Sequence, residues 1–413
     1  MIVGIIGAGA SGMAAALEAA QNENTQVILW ERQARVGRKL QATGNGRCNL
    51  TNMNVRPRIE YPDAAPWAYH GTSPGFAKHA LLHYGAENTR QWFLRLGLYT
   101  VAEESGRVYP FSDQANSVVD VLRFALEKPN IRLLCGREVK KVVKKDGIFA
   151  VTDNEETVTC DRVIVACGGI AGSKLGGTMS GYQILRSLGH RCTKLRPALV
   201  QLKSDWSGCQ ALKGVRTQCW ATILRDGKPV AQSRGELQFT EYGISGPVIF
   251  EISRDVCQEK GEWVCRLDLL PGFHEEDLEY ELFRRKNTNL SSDDLLTGIL
   301  HNRLGRVISK AAGVKAGGFV RDIPDDVLRE VCRLVMEFDI HLTEPMGMDS
   351  AQVTAGGILT DEFDPNTMES KLVPGLYACG EVLDIDGKCG GYNLQWAWSS
   401  GRLAGTCAGK ETQ

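Results

Sequence analysis

Three glycines near the start of the chain have the spacing of a phosphate-binding turn. Gly7, Gly9 and Gly12 lie in the stretch GAGASG, residues 7–12. In such a turn the first glycine permits a tight bend, the second lets the backbone approach a pyrophosphate, and the third lets a helix pack closely on a strand. A helix that starts here directs its free N–H groups and the positive end of its dipole at the phosphates. The spacing therefore predicts dinucleotide binding.

The segments around this turn have the pattern that such a site needs. Residues 2–6 form a short apolar run typical of a buried strand, and residues 13–20 are Ala-rich and predict a helix. A second predicted strand, residues 26–30, ends at Glu31, about twenty residues after the glycines. An acid at this position hydrogen-bonds a ribose diol. Strand, turn, helix and acid together predict a Rossmann-like nucleotide-binding unit.

A polar, glycine-rich stretch, residues 36–52, follows this unit without helix or strand periodicity. Its glycines free the backbone to approach a ligand, and Arg38, Lys39 and Arg47 supply cations where a diphosphate would lie. We expect an irregular loop that contacts the nucleotide.

The same stretch resembles a family signature. Its letters GRKLQATGNGRCNLTN are similar to the GRKL…TG.GRCNLTN signature of a bacterial FAD flavoprotein family that includes BaiN-type bile-acid reductases and aminoacetone oxidases. Residues 106–112 resemble the family's GRVFP.S motif, and residues 235–247 resemble its GEL.FT.YGISGP block. The apolar strand at residues 162–166 and the Cys-Gly-Gly after it resemble the ATGG-like turn of related flavoproteins.

The resemblance implies a fold and a cofactor. The fold is an α/β, Rossmann-like FAD-binding domain of the two-dinucleotide-binding-domain type, interrupted by a β-barrel-like and a helical insert. In resembling flavoproteins an acid in the position of Glu381 bonds the ribityl hydroxyls, and the last helix, 396–408 here, directs its N-terminus at the flavin N1 and C2 carbonyl. The residues that the resemblance and the glycine motif assign to FAD are Gly7, Gly9, Ala10, Ser11, Gly12, Glu31, Arg32, Arg38, Lys39, Gly44, Asn45, Gly46, Arg47, Cys48, Asn49, Val139, Ala166, Cys167, Gly168, Gly169, Gly380, Glu381, Gly391, Tyr392, Asn393 and Leu394.

Candidate acids and metal ligands are few. No Ser/His/Asp set or carboxylate pair has a spacing that demands hydrolytic chemistry, so the candidate catalytic acids are Tyr109, Tyr242 and Tyr392. His79 and His83 have the i, i+4 spacing of helical metal ligands, but no third ligand is evident, and we expect no metal.

Composition limits the partners. The 48 Lys and Arg residues nearly balance the 49 Asp and Glu residues, so no bulk positive charge predicts binding to nucleic acid or to anionic lipid. No apolar run is long enough to span a membrane. The 13 cysteines, an odd number, are scattered without any CxxC pair, which argues against a disulfide framework, a zinc site and an iron–sulfur cluster. We expect a cytoplasmic protein whose partner is a small molecule; the sequence leaves its oligomeric state open.

The 413 residues are too many for one core. We expect a discontinuous FAD-binding domain, 1–190 and 346–413, interrupted by a β-rich insert domain, 191–272 and 337–345, and by a helical subdomain, 273–336. The insert would cover the substrate cavity.

Several functions stay open. The favoured one is hydride transfer between FAD and a small organic substrate, by an NAD(P)H-dependent reductase of an activated C=C bond. An FAD-dependent amine oxidase producing hydrogen peroxide is the alternative within enzymes. A non-catalytic, redox-sensing flavoprotein with Cys48 as its reactive thiol is the alternative of another class. Only one complete GxGxxG follows a strand, so NAD(P)H is expected as a transient electron donor without a domain of its own.

Overall fold

A computed structural model describes residues 1–55 and 68–410. The chain divides into two compact units, Met1–Arg196 with Gln352–Gln413, and Pro197–Ala351. Each border lies six residues further along the chain than the sequence-based border, at 196 against 190 and at 352 against 346. The first unit contains the glycine turn, and the second unit is continuous in sequence.

A five-stranded parallel sheet forms the centre of the first unit. In the central strand Ile5 lies between Leu29 and Ile164 of the neighbouring strands, and all three side chains are buried. Strands that are covered on both faces have continuous apolar sequences, as the run at residues 2–6 does. From one edge to the other the strands are Leu376–Ala378, Arg162–Val165, Ile2–Ile6, Gln26–Glu31 and Ile131–Cys135.

The first and last helices, Ala10–Ala19 and Tyr392–Ala408, pack against each other without intervening side chains. A Cβ atom on Gly401 would collide with the carbonyl oxygen of Ser11, and one on Gly405 would collide with that of Ala15. Because both positions advance by four residues together, the two helices are parallel. The glycines at positions 401 and 405 therefore allow the backbones of the first and last helices to come into direct contact.

The rest of the first unit consists of short elements around this sheet. No helix within residues 1–55 and 68–410 is long and apolar enough to cross a membrane. The further strands are Thr51–Asn52, Tyr69–His70, Thr100–Ala102, Arg107–Pro110, Lys141–Lys145, Ile148–Thr152, Thr157–Cys160, Val353–Ala355 and Asp386–Gly387. The further helices are Arg38–Gln41, Lys78–His83, Ala86–Arg95, Ala115–Ala125 and Ser180–Ser187, with 3₁₀ turns at Thr43–Gly46, Pro74–Ala77, Ser173–Leu175, Thr360–Glu362 and Gly380–Val382.

The second unit contains a six-stranded antiparallel sheet that nearly closes on itself. Its first and last strands are joined where Lys203 accepts a hydrogen bond from the N–H of Thr343 (2.9 Å) and donates one to the carbonyl of Glu344 (2.9 Å). Closure of this kind removes exposed sheet edges. This confirms the predicted barrel-like insert. The strands in sheet order are Leu202–Lys203, Gly243–Ser245, Lys228–Thr240, Arg216–Arg225, Trp263–Asp268 and Phe338–Leu342.

Helices complete the second unit. They are Gly208–Ala211, Pro247–Gln258, Glu275–Arg285, Asn302–Ala311 and Asp325–Met336, with 3₁₀ turns at Ser292–Asp294 and Val320–Asp322. Buried residues of the strands and of the helices form one apolar cluster. The division of the insert into two separate parts stays a prediction.

Candidate cofactor site

The glycine turn has the geometry that a pyrophosphate requires. Gly7 has φ +102°, a left-handed conformation, and a Cβ on Gly12 would collide with the carbonyl oxygen of Gly7. A Cβ on Gly9 would have no neighbouring atom within 4 Å, so the backbone there is accessible to a ligand. No side chain caps the helix that starts at Ala10, so its first N–H groups are free to bind an anion.

Glu31 lies against this turn. Its Oε2 accepts a hydrogen bond from the N–H of Ala8 (3.0 Å), and its Oε1 accepts one from the N–H of Gln33 (2.9 Å). Burial raises the pKa of the Glu31 carboxyl, and these backbone N–H groups oppose that rise. The carboxylate is therefore held in one orientation beside the first glycines.

A second carboxylate, Glu381, is fixed by groups from distant segments. Its Oε2 lies 2.8 Å from the Nζ of Lys39, and its Oε1 accepts a hydrogen bond from the N–H of Thr354 (2.7 Å). A Cβ on Gly169 would lie 2.6 Å from Glu381 Oε1, so the turn after the strand Arg162–Val165 passes directly beside it. Three predicted cofactor residues, Lys39, Gly169 and Glu381, thus converge.

The last helix directs its N-terminus the same way as the first. It begins at Tyr392 after Gly391, which has φ +101°, and no side chain caps it. Tyr392 lies nine residues before Gly401, whereas Ala10 lies one residue before Ser11, with which Gly401 is in contact. At 1.5 Å per residue, the N-terminus of the last helix lies about 12 Å beyond that of the first.

The turn at residues 43–49 is folded back on itself. Asn45 and Cys48 adopt positive φ angles of 56° and 60°. The guanidinium of Arg47 is already paired with two carboxylates, those of Asp113 and of Glu103 (3.2 Å).

Arg47 also stacks on Tyr109. Its Cζ lies 4.0 Å from the centre of the Tyr109 ring. A Cβ on Gly44 would lie 3.4 Å from the same ring, so Tyr109 contacts both this turn and its cation.

Other predicted cofactor residues contact their own chain. Arg32 donates to the carbonyl of Gly176 (3.0 Å), and Arg38 donates to the side chain of Gln33 (2.7 Å). Asn393 exchanges hydrogen bonds with Gly387, both 2.8 Å long. Val139 is buried in the apolar core. Ala166, Cys167 and Gly168 follow the strand Arg162–Val165, and Gly380 lies in the 3₁₀ turn after the edge strand Leu376–Ala378. Leu394 lies in the first turn of the last helix.

Cys48 is fully buried, and burial raises the pKa of its thiol to about 12. Reactive thiols have a lowered pKa and are partly exposed. The structure therefore does not favour the redox-sensor alternative.

The three candidate acids differ in their surroundings. Tyr392 is 5 % exposed, and its carbonyl accepts a hydrogen bond from the hydroxyl of Tyr69 (2.9 Å). Tyr242 is half-buried in the second unit, between the strands Lys228–Thr240 and Gly243–Ser245. Tyr109 adjoins the turn at residues 43–49 within the first unit.

No group of three or more potential metal ligands occurs in the described part of the chain. The ring centres of His79 and His83 lie 4.1 Å apart, and the ring planes are tilted by 31°.

Sequence reasoning missed two polar residues that hold the site. Thr354 positions Glu381 through its N–H, and its Oγ1 accepts a hydrogen bond from the N–H of Ala171 (3.0 Å). Ser400 accepts one from the N–H of Gly380 (2.9 Å). The Thr-Ala-Gly-Gly sequence at residues 354–357 was a recognisable signal for the first, whereas Ser400 lies in a helix without any motif.

These residues fit FAD. Glu31 would bind the adenosine ribose, the turn at residues 7–12 the diphosphate, and Glu381 the ribityl chain. With an offset of about 12 Å between the two parallel helix N-termini, one would bind the diphosphate and the other would face the flavin.

Comparison with known families decides the membership of the chain. Residues 1–407 match the family described as HI0933-like protein Rossmann domain. The chain belongs to this family. The resemblance to BaiN-type flavoproteins and the Rossmann-like fold class are confirmed.

Two curated members of similar length are related over nearly the whole chain. The 3-dehydro-bile acid delta(4,6)-reductase of Clostridium scindens is 38% identical over 98% of both chains. The ribosomal RNA dihydrouridine synthase of Escherichia coli is 32% identical over 96% of this chain and 95% of its own.

A solved structure shares the fold. The 3-ketosteroid delta1-dehydrogenase from Sterolibacterium denitrificans, in complex with 1,4-androstadiene-3,17-dione, superposes with a TM-score of 0.51, 13% identity, and coverage of 98% of this chain and 99% of its own. At this identity the likeness concerns the architecture alone.

Proposed function

We propose that this protein is an FAD-dependent oxidoreductase that reduces a C=C bond conjugated with a carbonyl group. The observation that carries the proposal is the 38% identity, end to end, with a bile-acid reductase. The name of that relative describes reduction of C=C bonds in a 3-oxo compound. Glu31, Glu381 and the N-termini of the first and last helices, which no side chain caps, would supply the FAD site that such chemistry needs.

Each part of the site contributes to binding and orientation. Glu31 and the turn at residues 7–12 bind the nucleotide half of the cofactor, and Glu381, held by Lys39 and Thr354, orients the ribityl chain. When bound, the flavin supplies the hydride. The N-terminus of the helix Tyr392–Ala408 would stabilise negative charge next to it through the positive end of the helix dipole.

The reaction also needs a proton, and Tyr109 is the proposed donor. Burial raises the pKa of Tyr109, so its hydroxyl keeps its proton at neutral pH. Arg107 and Arg47 oppose that rise, because their positive charges stabilise the phenolate that remains after proton transfer. Tyr109 therefore combines proton storage with stabilisation of the conjugate base.

Electrons would come from NAD(P)H. The chain has one complete GxGxxG turn between a strand and a helix, so nicotinamide and substrate would use the same face of the flavin in turn. We expect ping-pong kinetics, with parallel lines in double-reciprocal plots and competition between substrate and NAD(P)H.

A small-molecule substrate is favoured over RNA, although one relative acts on ribosomal RNA. The second unit has 19 Lys and Arg residues against 24 Asp and Glu residues, a net charge of −5. Proteins that bind nucleic acid need a surplus of cations to neutralise phosphates. A cytoplasmic location also belongs to the proposal, since all thirteen cysteines are free.

The test begins with the cofactor. The purified protein should be yellow and release FAD on denaturation; release of FMN alone, or failure to bind added FAD, would contradict the proposal.

Anaerobic mixing with NADH and with NADPH should then bleach the flavin, and a conjugated enone should restore its absorbance. Bleaching by an amine, followed by hydrogen peroxide on aeration, would instead identify an oxidase.

A further inference from the structure

One face of a short hairpin leads away from the turn at residues 43–49. Val101 and Tyr109 lie directly opposite each other on its two strands, Thr100–Ala102 and Arg107–Pro110. Beyond them, Phe111 donates a backbone hydrogen bond to Tyr99 (2.8 Å). Because opposite residues share a face and alternate residues point the same way, Tyr99, Val101, Tyr109 and Phe111 lie on one side of the hairpin.

Three of these side chains form an exposed apolar strip. The exposed fractions are 70% for Tyr99, 44% for Val101 and 77% for Phe111. Tyr109, by contrast, is 6% exposed, between Gly44 and Arg47. The strip thus starts beside the proposed proton donor and extends outward from it. A contiguous exposed apolar group marks a surface that interacts with a ligand or a partner.

The size of the strip fits a small molecule better than a protein. An aromatic side chain buries about 150–250 Å² when it is fully covered. Because the three residues are already partly covered, the surface they still expose is smaller than three such areas, on the order of 400 Å². A stable interface between proteins buries about 800 Å² on each partner.

The charges around the strip disfavour RNA as its ligand. Arg47 pairs with Glu103 and Asp113, so its charge is offset locally. Exposed aromatic residues can stack bases, but binding to a nucleic acid also needs cations that follow the phosphates. An uncharged apolar ligand needs no such cations.

We propose that Tyr99, Val101 and Phe111 bind the apolar part of the substrate that extends away from the reacting C=C bond. The substrate is then an extended hydrophobic enone, such as a polycyclic 3-oxo compound, rather than a short conjugated carbonyl. This inference rests on the proposed function, because it takes Tyr109 and the turn at residues 43–49 as the reacting end of the site.

The test compares two enones that share a reacting group, 4-androstene-3,17-dione and 2-cyclohexen-1-one. The double variant Tyr99→Ser/Phe111→Ser should raise KM for the steroid at least tenfold and leave kcat/KM for cyclohexenone within twofold. The control is Phe124→Ser, which removes another exposed aromatic residue of the same unit, 56% exposed on the helix Ala115–Ala125. The control should match the parent protein with both enones.

Binding provides a readout that does not need turnover. Calorimetric titration of the oxidised, FAD-loaded protein with the steroid should give a Kd that rises tenfold in the double variant only. Equal losses for both enones, an unchanged steroid Kd, or the same loss in Phe124→Ser would overturn the inference.

Two further results would reassign the strip. If the double variant lost binding to a uridine-containing single-stranded RNA and the steroid did not bind, the strip would be an RNA surface. If the parent protein sedimented as a dimer and the double variant as a monomer, the strip would be a contact between copies. If the parent reduced neither enone but the steroid bound through the strip, the proposed reaction would fail while the strip remained a ligand site.

Discussion

Lys39 and Glu381 form an ion pair with a length of 2.8 Å, although 342 residues separate them in the sequence. Both residues are assigned to FAD, and the pair joins the polar stretch after the second strand to the turn after the last strand of the sheet. Among the described residues, the pair adds to the hydrogen bond by which the N–H of Thr354 orients the same carboxylate.

Replacement of Lys39 should therefore weaken FAD binding modestly. For Lys39→Met we expect a rise of about fivefold in the FAD dissociation constant, since a partly exposed ion pair contributes about 1 kcal/mol. Lys39→Arg should restore most of the affinity, and Lys371→Met, at an exposed position, should have no effect. Fluorescence of released FAD measures all three. If Lys39→Met bound FAD as tightly as the parent protein, the ion pair would not contribute to FAD binding.

Replacement of Glu31 should have a larger effect. Glu31→Ala removes an oriented carboxylate from the ribose position, and a hydrogen bond to a charged group contributes roughly 1.5–3 kcal/mol. We expect FAD affinity to fall at least tenfold, whereas Cys48→Ala should change it much less. If the two variants bound FAD equally, Glu31 would not contact the ribose.

The cysteines should differ sharply in reactivity. Cys48 is fully buried and Cys135 is exposed. With iodoacetamide at pH 8, mass spectrometry of the native protein should find Cys135 labelled and Cys48 unlabelled. Labelling of both after denaturation is the internal control. Rapid labelling of native Cys48 would revive the redox-sensing alternative.

The glycines of the last helix should be required for stability. Gly401→Ala forces a methyl group against the carbonyl of Ser11, and overpacking of this kind costs about 1–3 kcal/mol. We expect the midpoint of thermal unfolding to fall by several degrees and FAD to be released earlier. Gly75→Ala adds a methyl group with nothing within 4 Å and should be neutral or slightly stabilising. A neutral Gly401→Ala would show that the helices can separate without cost.

Acid should destabilise the protein through His190. This imidazole is buried between Glu362 (2.8 Å) and Ser370 (3.0 Å), and burial lowers its pKa although Glu362 opposes the shift. Below a pH of about 6.5 the unfolded chain binds the proton more readily than the folded one. The contribution of His190 to the free energy of unfolding is therefore fully present above that pH, and it is lost as the pH falls toward the lower pKa of the folded state.

The pH dependence has a direct control. His190→Gln cannot titrate, so its unfolding midpoint should change less between pH 7 and pH 5 than that of the parent. Parallel curves for the two proteins would show that another group causes the acid sensitivity.

Local patterns predicted much of the first unit correctly. The strand Ile2–Ile6, the turn at residues 7–12 and the position of Glu31 depend on short-range spacing, and the structure has all three. The hairpin that carries Tyr109 was also predictable, because its turn residues and alternation are adjacent in sequence.

Long-range packing was not predictable. The function of Gly401 and Gly405 depends on a partner helix about 390 residues away, and no local signal indicates it. Residues 38–41 form a short helical turn where a loop was predicted, because one turn is too short to show periodicity. Residues 43–46 are not regular helix, since Gly44 and Asn45 are left-handed. The last helix begins at Tyr392 rather than at residue 396, since the left-handed Gly391 sets its start.

The contact between the first and last helices also determines when the protein can become functional during synthesis. At about 5–20 residues per second, a ribosome needs roughly 20–80 s to translate the 390 or so residues that separate the two helices. The unit Pro197–Ala351 is continuous and can fold within that interval. The nascent N-terminal strand and glycine turn, however, wait for their partner helix until residues 392–408 have been translated. FAD capture would accordingly follow the synthesis of this helix, and a chain that stops before Tyr392 lacks the helix altogether.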